Sequence, residues 1–294
     1  MYKLNDIDLF SYGIRAGKPS SGNVAIEGCY SMPSRIGECF YDWGDQDGIE
    51  GFTAADDIMF GGRNLVFNGI IIGNNFDLYY KLKAFYAAIA LFSDLVTLST
   101  PYGDYSVQIT SVEETHNTGG CWLKINMREP VVDLTGGTLP ATGTGAYTID
   151  DIPFHSFGLH IGKSDKVYNL PELKEQYFTK YGQEGYQMVY HKNRVLTLDG
   201  IIVASSVTEF TTNIKNLYLA FASTGERLIK KNNEVFISCF AKDGFEVKDL
   251  MVFDNLVIGK FSMELMVTGF TDGRKLLYEN GDYTIAENEL FILI

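Results

Sequence analysis

Four histidines and four cysteines are the ligand-bearing side chains of this sequence, and their spacing limits what chemistry they could share. Of His116, His155, His160 and His191, only His155 and His160 stand close in sequence. Five residues apart on a predicted strand, they point to opposite faces and do not share a metal. Glu113 and Glu114 beside His116 would make an acid–base cluster, but as consecutive residues of a predicted loop they face water. Cys29, Cys39, Cys121 and Cys239 form no CxxC pair, and the sequence contains no HExxH or GxSxG. They read as small hydrophobes in a reducing compartment, too scattered for a disulfide framework. No nucleophile with its base is apparent, and no catalytic, metal or cofactor residue is assigned.

Two loops invite ligands and fail on register. Gly17-Lys18 and Gly162-Lys163-Ser164 resemble the end of a phosphate-binding loop, but Tyr12 and Phe157 stand where its first glycine belongs. Neither precedes a predicted helix that would aim amides at a phosphate. Asp42, Asp45 and Asp47 crowd a Trp43-Gly44 turn, yet counting back from Gly48 puts Trp43 at the first calcium-ligand position. A solvated turn is the reading.

The composition bounds the class. Over 294 residues, 37 acidic and 24 basic side chains give a net charge of -13, which argues against a surface that grips nucleic acid. Hydrophobic residues at 46% exclude wholesale disorder. Aromatics at 14%, with 30 Gly against 7 Pro, lean toward pleated strands joined by turns. The opening residues show no basic stretch followed by an apolar one, and Phe85–Phe92 is too short to span a bilayer. A soluble protein made in the cytoplasm, with no membrane association, is the expectation.

The strongest signal is internal. Asp6 to Lys18 reads DIDLFSYGIRAGK and Asp151 to Lys163 reads DIPFHSFGLHIGK. Six of thirteen positions are identical: Asp6/Asp151, Ile7/Ile152, Ser11/Ser156, Gly13/Gly158, Gly17/Gly162 and Lys18/Lys163. About one identity is expected by chance. Trp43-Gly44 then parallels Tyr181-Gly182, and the Arg63 segment ending in Gly69-Ile-Ile parallels the Arg194 segment ending in Gly200-Ile-Ile. Three matches in the same order make a tandem duplication. With a period of about 145 residues the units are whole domains, not solenoid repeats. Residues 1–134 and 151–294 are the expected domains, the second with a C-terminal extension, joined by a small, uncharged linker over 135–150.

Within each unit the patterns predict opening strands over Leu9–Ile14 and Phe154–Leu159. Further strands follow over Leu65–Ile72 and Val195–Val203, with Gly69 and Gly200 as bulge points. One amphipathic helix comes next in each. Leu78, Leu82, Phe85 and Ile89 form the first stripe behind Asn75, and Phe210, Ile214, Leu217 and Phe221 the second behind Thr208. Closing strands are expected at Leu95–Leu98, Tyr105–Val112 and Cys121–Met127, then Glu234–Phe240, Gly244–Phe253 and Gly259–Val267. The fold class is mainly β (α+β): two tandem similar β-barrels or sandwiches, each carrying one helix.

These residues resemble a family. The opening signature Asp6, Ile7, Ser11, Gly13 with its copy Asp151, Ile152, Ser156, Gly158, the aromatic-Gly turns, the Arg strand ending Gly-Ile-Ile and the single helix are similar to the tail-tube domain of tailed-phage proteins. The distal tail and baseplate-hub proteins are the nearest in pattern. The resemblance implies a structural component of the virion tail, made in the host bacterial cytoplasm. It implies a ring of identical chains, a trimer favoured over a hexamer, that meets tail-tube and tail-tip or fibre proteins and lets DNA pass non-specifically. It implies no enzyme activity and no cofactor. One departure is that the usual distal tail protein has a single tube domain with a distinct peripheral domain. The alternative reading is a carbohydrate-binding β-sandwich of a cell-surface or tail adhesin.

Overall fold

Alternating side chains build the long strands of this protein. In Arg63–Ile72, Arg63, Leu65, Phe67, Gly69 and Ile71 point one way and are covered, while their neighbours point outward. The computed structural model describes residues 1–17, 22–44, 48–117, 119–165, 172–174, 177–180, 183–186, 190–232 and 235–272. In chain order the first strands are β1 (Lys3–Leu4), β2 (Ile7–Asp8), β3 (Ile14–Ala16), β4 (Ile26–Glu27), β5 (Phe40–Tyr41), β6 (Glu50–Gly51) and β7 (Arg63–Ile72). Helix α1 (Asn75–Ile89) is followed by β8 (Val96–Thr100), β9 (Gly103–Asn117) and β10 (Gly120–Glu129). The second half runs β11 (Tyr147–Ile149), β12 (Ile152–Pro153), β13 (Leu159–Asp165), β14 (Leu173–Lys174), β15 (Tyr177–Lys180), β16 (Gln183–Tyr186), β17 (Tyr190–His191) and β18 (Arg194–Ala204). It ends with α2 (Val207–Ala222), β19 (Arg227–Lys231), β20 (Val235–Phe253) and β21 (Leu256–Asp272).

The protein is mainly β, and its two large sheets share one strand order apart from β4. One runs β2-β1-β8-β9-β10-β7-β3 with β4 added to β7; the other runs β12-β11-β19-β20-β21-β18-β13. All these pairings are antiparallel. In chain order each half places its α-helix after the strand next to the sheet edge (β7 or β18) and before β8 or β19. Most buried side chains of both halves join into one core, and Cys39, Ile49, Phe240 and Met266 form a second, small cluster. The linker expected over 135–150 ends in strand, because Tyr147–Ile149 pairs with both β12 and β19.

Both helices carry the stripes their spacing predicts. Leu78, Leu82 and Phe85 are buried with Ile89 packed at the margin, and Phe210, Ile214, Leu217 and Phe221 are all buried. Their caps lie one or two residues earlier than expected. Asn74 accepts from the amides of Phe76 and Asp77, and Ser206 from that of Glu209. The cap residue keeps extended backbone while its oxygen satisfies free amides, which Asn75 and Thr208, already helical, do not do.

Several strand expectations are corrected. The segments expected to open each half as strands are single 3-10 turns, Leu9–Tyr12 and Phe154–Phe157. Each ends on a left-handed glycine, Gly13 at φ 73° or Gly158 at φ 68°, which a continuous strand would not accommodate. Gly69 and Gly200 are paired in register and are not bulges. A side chain at either would meet its neighbour, Ile14 Cγ2 at 2.8 Å or His160 O at 2.3 Å. The bulge falls across from Gly200, between Ile161 and Lys163. In the second half Arg227–Lys231 is a strand whose basic side chains hid it. The two strands expected at 234–240 and 244–253 are one, β20, bent by register shifts around Ala241–Phe245 and Lys248–Met251; Glu234 lies outside the described residues. Glu113, Glu114 and His116 are not a loop but the far end of β9.

Candidate functional site

The duplicated Asp signatures begin at turns. Asp6 and Asp151 both sit at φ 66°, each preceded by a residue of positive φ, Asn5 at 46° or Asp150 at 49°. Two consecutive left-handed residues are what a two-residue hairpin turn demands, and Asn and Asp tolerate them best. Asn5 and Asp150, which the signature starts one residue too late to include, tie the turn to the next strand. Asn5 Oδ1 accepts from Thr97 N at 2.8 Å, and Asp150 Oδ1 accepts from Leu228 N at 2.8 Å. An Asn-Asp and an Asp-Asp, each flanked directly by apolar residues (Leu4 and Ile7, Ile149 and Ile152), were the available signal. Ser11 and Ser156 are both exposed, Ser11 donating to Asp8 O at 2.7 Å, and the exposed Asp151 pairs with Lys230. Ile152 is buried but its copy Ile7 is 37% exposed, so that pair is alike in sequence and not in burial. His155 lies on the 3-10 turn and His160 on β13, not on one strand as expected.

The aromatic-Gly turn touches the other half. Trp43 packs edge-on against Tyr41 at 4.5 Å and donates Nε1 to Glu50 at 3.1 Å, while Lys174 reaches across to Asp42 and to Trp43 O at 2.6 Å. Gly44 follows in the exposed turn. Lys18, Asp45, Asp47, Tyr181 and Gly182 lie outside the described residues.

The best-formed polar site is the junction between the halves. Arg63 opens β7 opposite Glu129 at the end of β10, and both are buried. Arg63 Nε donates to Glu129 Oε2 at 2.6 Å, and Nη1 donates to Ser31 O at 3.1 Å and to the Tyr218 hydroxyl at 2.7 Å. Tyr218 belongs to α2 and its hydroxyl donates in turn to Ser31 O at 3.2 Å. Burial alone would lower the pKa of Arg63, but Tyr218 and Glu129 outweigh it and hold it above the ordinary value. Burial pushes the Tyr218 hydroxyl up as well, and the Cys29 thiol nearby up to about 11. The network ties α2 and the Ser31 segment to the ends of β7 and β10.

Residues 23–35 extend that lock along β20. Asn23 exchanges side-chain bonds with Val252 N and O at 2.7 Å each, and Met32 N donates to Phe245 O at 2.8 Å. Arg35 N donates to Lys242 O at 2.8 Å, and Tyr30 packs edge-on against Phe210 of α2 at 5.0 Å. The edge of β20 beyond β19 is thereby covered. A groove of about 500 Å³ runs beside it, lined by Glu27, Arg128, Asp243, Glu246 and Lys248 among others. Charges of both signs alternate there, which fits a solvated seam better than a site for one ligand.

Among the described residues no helix is long and apolar enough to cross a membrane. The sequence matches no protein-family model and no curated protein. Among solved structures the chain is similar to the SPP1 Dit (gp 19.1) protein, described as a paradigm of the hub adsorption apparatus in phages that infect Gram-positive hosts. The likeness spans 90% of this chain and 99% of that one, at 12% identity and a TM-score of 0.35.

Proposed function

We propose that this protein is a non-enzymatic structural component of a phage tail, a distal-tail or hub-like part that closes into a ring. The observation that carries the proposal is an edge used in one half and open in the other. In the second half, residues 23–35 cover β20 beyond the end of β19. In the first half β8 pairs β9 only as far as Val107, and among the described residues nothing covers the free edge of 108–117. A junction repeated from chain to chain would cover it with a second copy. Such a head-to-tail contact must close or grow into a filament. Two matching halves per chain close a six-part circle with three chains, so a trimer is favoured over a hexamer. The net charge of -13 suits a conduit through which DNA passes without sticking. Tail-tube and tail-tip or fibre proteins are the other partners this role requires, and the virion tail is the location.

The exposed Tyr41–Trp43 pair favours one alternative, a carbohydrate-binding module. Light scattering over rising concentration, with imaging of the protein alone and on tail tubes, separates the two. Rings with a channel wide enough for a duplex of about 20 Å are expected. A chain that stays monomeric on tail tubes, or a dimer with a closed centre, would overturn the ring, and glycan binding would favour the module.

A further inference from the structure

The inward face of a sheet strand should be apolar where a helix covers it, and at one corner of the first half it is not. Counting from the paired glycines, Leu123 opposite Gly69 corresponds to Phe261 opposite Gly200. Across the hairpin, Glu114 then corresponds to Val247. One step further, Cys121 opposite Ile71 corresponds to Gly259 opposite Ile202, and its partner His116 to the bulged stretch holding Leu250. A side chain at Gly259 would meet Val247, Phe210 and Leu250, so in the second half this corner is a filled apolar knot. In the first half the same three places hold a carboxylate, an imidazole and a thiol.

Their ligand atoms converge. His116 Nε2 lies 2.9 Å from Glu114 Oε2 and 4.0 Å from Cys121 Sγ, and all three atoms fall within 4.8 Å of one another. Zn–N and Zn–O bonds of about 2.0–2.1 Å and a Zn–S bond of about 2.3 Å ask for donor separations near 3.4–3.6 Å in a tetrahedron. The two His116 separations change by about 0.5 Å to reach that, and the widest, up to 4.8 Å, closes by about 1.2 Å. Cys121 is buried, whereas the His116 side chain is 59% exposed, so an ion could enter from the solvent side. The Tyr86 hydroxyl of α1 donates to the other oxygen of Glu114, the kind of outer contact that orients a ligating carboxylate. A cavity of about 540 Å³ opens beside Glu114 and His116 under Leu78, Tyr79, Leu82, Lys83 and Tyr86.

We infer that Glu114, His116 and Cys121 form a binding site for one zinc ion, with a fourth position open to the cavity and filled by water. Thiolate with imidazole selects zinc over calcium or magnesium. A thiol with its ordinary pKa of about 8.5 carries its proton at neutral pH. Binding forms the Zn–S bond as the thiol proton leaves to water, and it moves the imidazole proton to Nδ1. One proton is released per ion. The site ties the end of the β9–β10 hairpin to itself, and it does not depend on the proposed ring.

The test is calorimetric titration of the metal-stripped full chain with Zn²⁺ in two buffers of different ionisation heat. Co²⁺ absorption is followed in parallel. One ion per chain is expected, with about one proton released and a sulfur-to-cobalt charge-transfer band. His116→Ala, exposed and safe for folding, should weaken zinc binding at least tenfold, and Cys121→Ser should remove the band while Cys39→Ala keeps it. Tyr86→Phe should weaken binding by about 10–100-fold. No zinc uptake by the parent chain, equal uptake by His116→Ala, or equal response to Ca²⁺ would overturn the assignment.

Discussion

Helix α2 lies against residues of the first half, with Tyr30 on Phe210 and Arg63 bonded to Tyr218, whereas α1 turns Phe76, Tyr79 and Tyr80 outward, each more than half exposed. Counted from their caps, Tyr86 is the counterpart of Tyr218. Both are tyrosines whose hydroxyls are pushed up by burial, yet one meets an arginine across the junction and the other a carboxylate at the edge of its own sheet. The strand order and the turn geometry of the two halves are the same, so those features are what the shared frame requires. What differs at matching positions is where each half has taken on something of its own: the first half a charged lock at Arg63–Glu129, the second an apolar knot at Gly259.

The lock gives the largest expected effect. Glu129 has Val267 as its counterpart, opposite Arg194, so the carboxylate at this position does not recur. Arg63→Ala leaves the Glu129 carboxylate buried without its partner, and a loss of about 3–5 kcal/mol is expected from denaturant midpoints. A double change of Arg63 and Glu129 to Met and Leu should recover most of it. If the single variant lost under 1 kcal/mol, the junction would not be what holds the halves together.

The stripes sharpen the comparison. Ile214 and Leu82 stand at matching positions, but Ile214 is sealed while Leu82 borders the cavity beneath α1. Ile214→Ala is expected near the top of the usual range of about 2–5 kcal/mol, and Leu82→Ala near its bottom, because its surroundings are already open. Equal losses in thermal melting would mean that the cavity closes in solution.

These helices were legible because a period of 3.6 residues needs no partner to be seen. The 3-10 turns were not: Leu9 and Tyr12, or Phe154 and Phe157, mix with strand-like neighbours, and only the left-handed Gly13 and Gly158 reveal the break. Residues 23–35 carry no period at all, since their bonds go to β20 more than two hundred residues away. The corner at His116 was hidden for a different reason. Polar side chains at inward positions mimic a loop, although the residue types Asn117-Thr118-Gly119-Gly120 after it were a sequence signal that His116 faces Cys121 across a hairpin.

The matched glycines separate backbone conformation from space. Both are left-handed, so alanine costs about 1–2 kcal/mol at either on conformation alone. A methyl at Gly158 would stand 2.5 Å from Val203 O, which is held in β18, whereas at Gly13 the neighbour is the flexible Lys81 chain at 2.9 Å. Gly158→Ala should therefore melt lower than Gly13→Ala. The reverse order would show that Lys81 is held more firmly than the strand.

The smallest effect lies at the caps and is read by pH. Glu209 accepts from both the amide and the hydroxyl of Ser205, and these bonds lower its pKa below the ordinary glutamate value. A group depressed in the folded state adds stability above its unfolded pKa of about 4.3, and that stability is lost as pH falls through the folded value. Glu209→Gln should thus flatten only the acid limb of a stability profile and leave the neutral region nearly unchanged. Asp77 holds the matching place on α1, where the cap Asn74 is the acceptor for both free amides. Following each carboxyl by NMR against pH gives the direct reading. A Glu209 that titrates at or above 4.3 would mean that Ser205 is not its partner in solution, and the first turn of α2 would then rest on Ser206 alone.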